Sequence, residues 1–307
     1  MSATSPAHDL PSAAAVGRAP DSLRSGIVAG IAARIRARNP VLVMGILNLT
    51  PDSFSDGGKF VEPDVAVAHA RQLIAEGADI IDIGAESTRP YKGMQPVTAQ
   101  EELRRLAPVL PAVVALGTPV SIDTMKAEVA DWALSQGAVI ANDVWGLQRD
   151  PAMAGVVARH GVPVIVMHNR ERPDAPDIMA DIDAFFARSL AIADKAGIAR
   201  DNIVLDPGVG FGKTAAQSMT AIARVADLKK FGLPILVGAS RKRFIDSVTP
   251  APPDQRIGGT IASHLIAVEG GASIIRVHDV GTVIQALRIA DAIVRAGRES
   301  REEGRAP

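Results

Sequence analysis

The chain has 307 residues, 47% of them hydrophobic, with a net charge of −1 and no cysteine. It is long enough to bury a large core as one barrel or two smaller domains. It lacks the basic field of a nucleic-acid binder, has too few aromatics (3%) for base-stacking surfaces, and excludes disulfides, thiolate metal sites and cysteine nucleophiles, in keeping with a reducing, cytoplasmic setting.

Residues 1–20 are rich in Ala, Ser and Pro and lack a basic start followed by an apolar block. They read as a disordered tail and not as a signal peptide. A helix is expected over 22–37, where Ile27, Ile31 and Ile35 share one face. From residue 41 short β-branched runs alternate with longer helical stretches. The predicted strands are 41–47, 80–83, 120–122, 139–141, 162–167, 203–205, 235–237 and 274–277. All are apolar almost without alternation, as strands covered on both faces are.

Helix starts are legible between them. Thr98 with Glu101 and Thr214 with Gln217 have capping-box spacing. Asp150-Pro151 fits an N-cap with proline at the first helical position. Each crossover has room for one helix. Eight such units predict an α/β fold, a (β/α)8 TIM barrel with an extra N-terminal helix, as a single domain over 21–299. Residues 300–307 read as a disordered C-terminal tail. A doubly wound open sheet is the main competitor. No long apolar run suggests a membrane span.

In either fold ligands collect at the carboxyl ends of the strands. The polar residues there are Asn48, Asp123, Asn142, His168, Asp206, Lys242 and Arg276. Gly212-Lys213-Thr214 matches the end of a phosphate loop, but the full pattern needs glycine where Pro207 stands, so that reading fails. Asp123 alone is as readily a helix N-cap, and Asn142 alone an Asx-turn. Together with Asp206 at a third strand end, they suit a heterocycle with several N–H donors, and a buried group left unpaired would make that choice selective. Lys242 is placed to pair with Asp206 or a ligand carbonyl. Arg276 and His278 are two apart on a strand and point the same way. With Arg89 they suit an anion. No His-Glu cluster has zinc spacing. Asn48 is a neutral oxygen donor suited to magnesium shared with a substrate phosphate. Ser240 has no local base for hydrolase chemistry.

Segments 45–58, 82–90, 121–124, 142–143, 167–168, 206–213, 238–242 and 276–280 together, and in order, resemble the dihydropteroate synthase family. That family joins 6-hydroxymethyl-7,8-dihydropterin diphosphate to 4-aminobenzoate. The resemblance implies that Asp123, Asn142, Asp206 and Lys242 bind the pterin, with Met167, Phe211 and Gly238 in its pocket and Arg276 over the ring. It implies diphosphate on Asn48, Arg89, Arg276 and His278, with Mg2+ on Asn48. It implies aminobenzoate on two loops, through Asp52, Ser53, Phe54, Thr88, Arg89 and Pro90, with Ser240. Catalysis would fall to Asp206, Lys242, Arg276, His278 and Arg89, in a homodimer using no nucleic acid and no membrane. Two departures stand out: Gly84-Ala85-Glu86 where the family has Gly-Gly-Glu, and a longer loop over 91–96. Two alternatives are a pterin-dependent methyltransferase on the same barrel and a catalytically silent pterin-binding paralogue.

Overall fold

The computed structural model describes residues 21–37, 40–50, 62–86 and 97–303. The elements in chain order are α1 (Asp21–Ala37), β1 (Leu42–Asn48), α2 (Pro63–Ala75), β2 (Ile80–Gly84), α3 (Ala99–Leu106), α4 (Leu110–Val114), β3 (Val120–Asp123), α5 (Ala127–Ser135), β4 (Ile140–Asp143), α6 (Met153–His160), β5 (Val164–Met167), α7 (Ile178–Ala196), β6 (Ile203–Asp206), α8 (Ala215–Ala223), β7 (Leu236–Val237), α9 (Arg243–Asp246), α10 (Ile257–Gly270), β8 (Ile274–Val277) and α11 (Val280–Glu303). All eight strands pair in parallel, in the order β6-β5-β4-β3-β2-β1-β8-β7. A bridge between Leu205 and Ile235 joins the two ends, so the sheet closes as the predicted barrel and not as an open doubly wound sheet.

Side-chain parity builds two cores. Val43, Leu47, Ile81, Ile83, Ile122, Val164, Val166, Ile203, Leu205, Val237, Ile275 and Val277 point outward and pack with the helix faces. Leu42, Met44, Ile80, Ile140, Ile165, Val204, Leu236 and Ile274 point inward and share a second cluster with Ile31 and Ile35 of α1. The N-terminal helix therefore plugs the barrel with the isoleucine face read from the sequence. Burying one such side chain is worth about 1.5–3 kcal/mol.

Three local readings change. The Thr214–Gln217 box is complete, but at Thr98 only half forms: Thr98 accepts from the Glu101 N–H, while Glu101 turns to Arg104 and Arg105. Asp150 does not start α6. Its carboxylate accepts from the Ala127 N–H at 2.8 Å and the Ala152 N–H at 2.9 Å, capping α5 from across a loop, and α6 begins at Met153. Asp123 caps no helix either, since α5 starts at Ala127 and the Asp123 carboxylate is bound elsewhere. At the C-terminus α11 continues to Glu303, through part of the segment read as a tail; residues 1–20 and 304–307 lie outside the described residues.

Candidate active site

The barrel interior turns polar within one step. Two positions on from the apolar inward residues Ile80, Ile140, Ile165, Val204, Leu236 and Ile274 come Asp82, Asn142, Met167, Asp206, Gly238 and Arg276. Strand periodicity gives these the same inward facing. Register sets them side by side around the ring: Asp123 lies opposite Gly84 and Asn142, and Asp206 opposite Met167. The closed, apolar lower barrel thus carries a polar mouth at its carboxyl end, where Asn48 finishes β1.

Arg276 organises one side of that mouth. Its Nε donates to Asp82 at 2.5 Å and its Nη2 to Asp123 at 2.7 Å. The same Asp82 oxygen accepts the Asn142 amide N–H at 3.1 Å, which turns the Asn142 carbonyl oxygen away from Asp82. The second oxygens of Asp82 and Asp123 and the Ser121 hydroxyl are buried with no hydrogen-bond partner among the described residues. Unpaired buried acceptors are costly, each about 1–3 kcal/mol, so this wall is primed for a ligand's N–H donors. Burial pushes the Asp123 carboxyl well above the ordinary range; Arg276 opposes the shift and Asp82 adds to it. Burial works to lower Arg276, but Asp82 and Asp123 hold it above its usual value. Gly238 lies beside Arg276, where an added Cβ would meet the arginine Cβ at 3.7 Å.

On the other side, Asp206 Oδ1 accepts the Gly208 N–H at 2.7 Å. Burial raises this carboxyl to about 6, against the opposing effects of that bond and of Lys242. The Lys242 ammonium stands 3.9 Å from the centre of the Phe211 ring, a cation–π geometry. The Ser240 hydroxyl lies 2.9 Å from His278 Nδ1 and accepts the His278 backbone N–H at 3.2 Å. Ser240 is buried, so its contact is with the histidine that the sequence assigned to the anion. The structure therefore brings Asn48, Asp123, Asn142, Met167, Asp206, Phe211, Gly238, Ser240, Lys242, Arg276 and His278 to one end of the barrel. Asp52, Ser53, Phe54, Thr88, Arg89 and Pro90 lie outside the described residues.

Two sets of charged groups were not singled out from sequence. Asp82 is one, although its parity with Ile80 was available as a signal. The other is Lys126, which pairs with Glu86 and, at 2.7 Å, with the fully buried Glu102. Glu86 also accepts the Val97 N–H at 3.1 Å, tying together the two chain positions that flank 87–96. Burial raises Glu102 despite Lys126. Lys126→Met strands this carboxylate. It is expected to cost about 2–3 kcal/mol at pH 8, below the 3–5 of a fully buried pair because Lys126 keeps some solvent. The loss shrinks at pH 5 as Glu102 takes up its proton; urea unfolding at the two pH values measures both.

The pterin binding enzyme family profile matches residues 44–278. The dihydropteroate synthase of Bacillus subtilis is 44% identical over 261 residues, covering 85% of this chain and 91% of the relative. Among solved structures, the Clostridium difficile dihydropteroate synthase crystallised with pteroic acid is 46% identical, with a TM-score of 0.80 over 83% of this chain and 97% of its own. The Xanthomonas albilineans enzyme with 4-aminobenzoic acid is 42% identical, with a TM-score of 0.79 over 83% and 94%. With the family profile spanning the barrel strands and such identity over most of both chains, the chain belongs to the dihydropteroate synthase family of pterin-binding transferases.

Proposed function

We propose that this barrel condenses 6-hydroxymethyl-7,8-dihydropterin diphosphate with 4-aminobenzoate, forming 7,8-dihydropteroate and diphosphate. The observation that carries this reading is the inward set of acceptors. A dihydropterin presents several ring and amino N–H donors and a ring carbonyl. Asp123, Asn142 and Asp206 supply unspent oxygens for the donors, and Lys242 supplies a cation for the carbonyl. Met167 and Phe211 line the apolar faces of the pocket, and Arg276 lies over the ring.

In the reaction the methylene carbon–oxygen bond breaks, diphosphate leaves with the electron pair, and the arylamine nitrogen forms the new carbon–nitrogen bond and releases one proton to solvent. An arylamine is unprotonated at neutral pH, so no strong base is required, and departure of the leaving group sets the barrier. Arg276 spends Nε and one Nη on carboxylates, which leaves N–H groups of its five for the diphosphate. His278 and Arg89 complete the anion set. Each preorganised contact of this kind is worth about 3–4 kcal/mol. Asp206 favours positive charge developing on the ring. Asp52, Ser53, Phe54, Thr88, Pro90 and Ser240 are assigned to the aminobenzoate side.

Magnesium fits this site in one limited sense. The described residues contain no cluster of three or more His, Asp or Glu placed to hold a metal, but an ion shared with diphosphate and water needs only one or two protein donors. Asn48, an uncharged oxygen donor at the end of β1 with no side-chain hydrogen bond among the described residues, suits that part. When bound, magnesium would neutralise charge on the leaving diphosphate. We place the protein in the cytoplasm as a homodimer; among the described residues no helix is long and apolar enough to cross a membrane.

Diphosphate release is expected only when both substrates are present. No release with both substrates, alongside tight pterin binding, would favour the silent paralogue; methyl transfer would favour the methyltransferase.

A further inference from the structure

Lys213 closes the segment that a phosphate loop would have used for its anion, yet its ammonium turns into the protein. Its Nζ donates to the Gly208 carbonyl at 2.9 Å, to the Phe211 carbonyl at 3.1 Å and to His168 Nδ1 at 2.6 Å. The His168 carbonyl stands farther off at 3.5 Å, so three N–H groups face four acceptors. Because His168 Nδ1 accepts, its proton sits on Nε2, which donates to Asp181 at 2.8 Å in the first turn of α7. Arg170 pairs with the other Asp181 oxygen.

The same loop is pressed onto the segment that follows β5. Gly208 and Gly212 adopt φ of +65° and +52°, and a Cβ on either would strike the carbonyl oxygen of His168 or Arg170. Glycine meets both demands at once. On its other side the loop meets the substrate groups. The Gly208 N–H fixes Asp206 Oδ1. Phe211 carries the Lys242 ammonium on its ring face, and Gly210 is close-packed on the Lys242 stem, where an added Cβ would meet Cδ at 3.2 Å.

We infer that Lys213 is a positioning residue for the pterin pocket: held by His168 and Asp181, it locks the 207–212 loop so that Asp206 and Lys242 are aimed at the ring. The inference rests on the pterin-binding reading above. Lys213 touches the carbonyls and imidazole behind the loop, whereas Asp206 and Lys242 touch the ligand. Burial keeps His168 neutral, lowering it to about 3, with Lys213 adding to the shift and Asp181 opposing it. Burial also draws Lys213 down to about 7, with Asp206 and Asp181 opposing and Lys242 and Arg170 assisting. The lowered histidine agrees with its acceptor role, while the donor role of Lys213 rests on its distances to Gly208, Phe211 and His168.

The test is Lys213→Met, which keeps the stem and removes the donors, beside Asp181→Asn, which weakens the support for His168 from a partly exposed site. The readouts are the KM of each substrate, kcat, calorimetric affinity for 6-hydroxymethyl-7,8-dihydropterin, and circular dichroism. In Lys213→Met the pterin diphosphate KM and the pterin Kd are expected to rise about tenfold, the scale of one hydrogen bond to a charged group. The aminobenzoate KM should stay within about twofold. Asp181→Asn should shift the same pterin constants in the same direction by about threefold. Unchanged pterin constants in folded Asp181→Asn, or equal rises for both substrates in either variant, would overturn the inference. A wild-type chain that binds pterin but forms no product would instead overturn the proposed reaction, because the calorimetric comparison does not depend on turnover.

Discussion

Asp206→Asn abolishes measurable pterin binding while the barrel remains folded. The amide keeps the shape of the carboxylate, and its oxygen can still accept the Gly208 N–H that fixes Asp206 today. That leaves the NH2 group facing the ligand where an acceptor stood. A donor then opposes a ring donor, and the ligand's N–H goes unpaired inside a buried site. Hydrogen bonds to charged groups contribute about 1.5–3 kcal/mol, and an orphaned partner adds a desolvation penalty. The sum corresponds to a loss of affinity of more than about a hundredfold.

Stability moves the other way. The folded Asp206 pKa lies near 6, above its value of 3.8 in the absence of the fold. Its contribution to stability is therefore full below about 4 and is lost as pH rises through 6. Asparagine has no such ionisation penalty, so the variant should be no less stable than the parent at pH 8. In the parent, pterin affinity should weaken below pH 6 as the carboxylate gains its proton, and the variant should show no measurable binding at any pH. Calorimetric titration across pH 5 to 8, with melting curves at each pH, reads both effects. Near-normal pterin affinity in Asp206→Asn would remove the residue from the site.

Arg276→Met is expected to damage both fold and turnover. Arg276 joins Asp82 and Asp123 across the lumen, and Asp82 in turn orients Asn142. Removing the cation strands two carboxylates, of which Asp82 is fully buried. Breaking such a pair costs about 3–5 kcal/mol. Asp123, already pushed up by burial, takes its proton more readily once the arginine is gone, so the loss at pH 8 should exceed the loss at pH 5. Diphosphate release should fall by about a hundredfold to a thousandfold, the usual consequence of removing one preorganised anion contact. Arg276→Lys should recover little, because one ammonium cannot reproduce the fork that spans both carboxylates. Urea unfolding at two pH values and initial rates of the folded fraction measure the two effects separately. Equal stability of Arg276→Met and the parent at pH 8 would contradict the bridging role.

The barrel was legible because its evidence is local. Apolar runs such as 274–277 and the isoleucine face of α1 announce themselves within a few residues, and β8 and the plug helix formed where expected. The polar mouth was partly legible for the same reason: Asp123, Asn142 and Asp206 each end an apolar run, and Arg276 shares a strand face with His278. Asp82 was harder to see because it stands inside its strand, with Ile83 after it, and its partner Arg276 is 194 positions away. Only closure of the ring shows that they meet. Asp150 misled for a related reason. A carboxylate before proline resembles an N-cap, but the nearest orphan donor in space belongs to α5 and not to the next helix. Lys213 was left without a role once Pro207 broke the phosphate-loop pattern, because nothing in the linear chain places His168 behind it.

A crystal structure of this chain grown with 6-hydroxymethyl-7,8-dihydropterin tests the convergence of these strand ends most directly. The bicyclic ring should lie in the carboxyl mouth of the barrel, with Asp123, Asn142, Asp206 and the Lys242 ammonium each within about 3.2 Å of one of its polar atoms. A ring bound elsewhere on the molecule, or one seated in the mouth without contacting those four side chains, would contradict it.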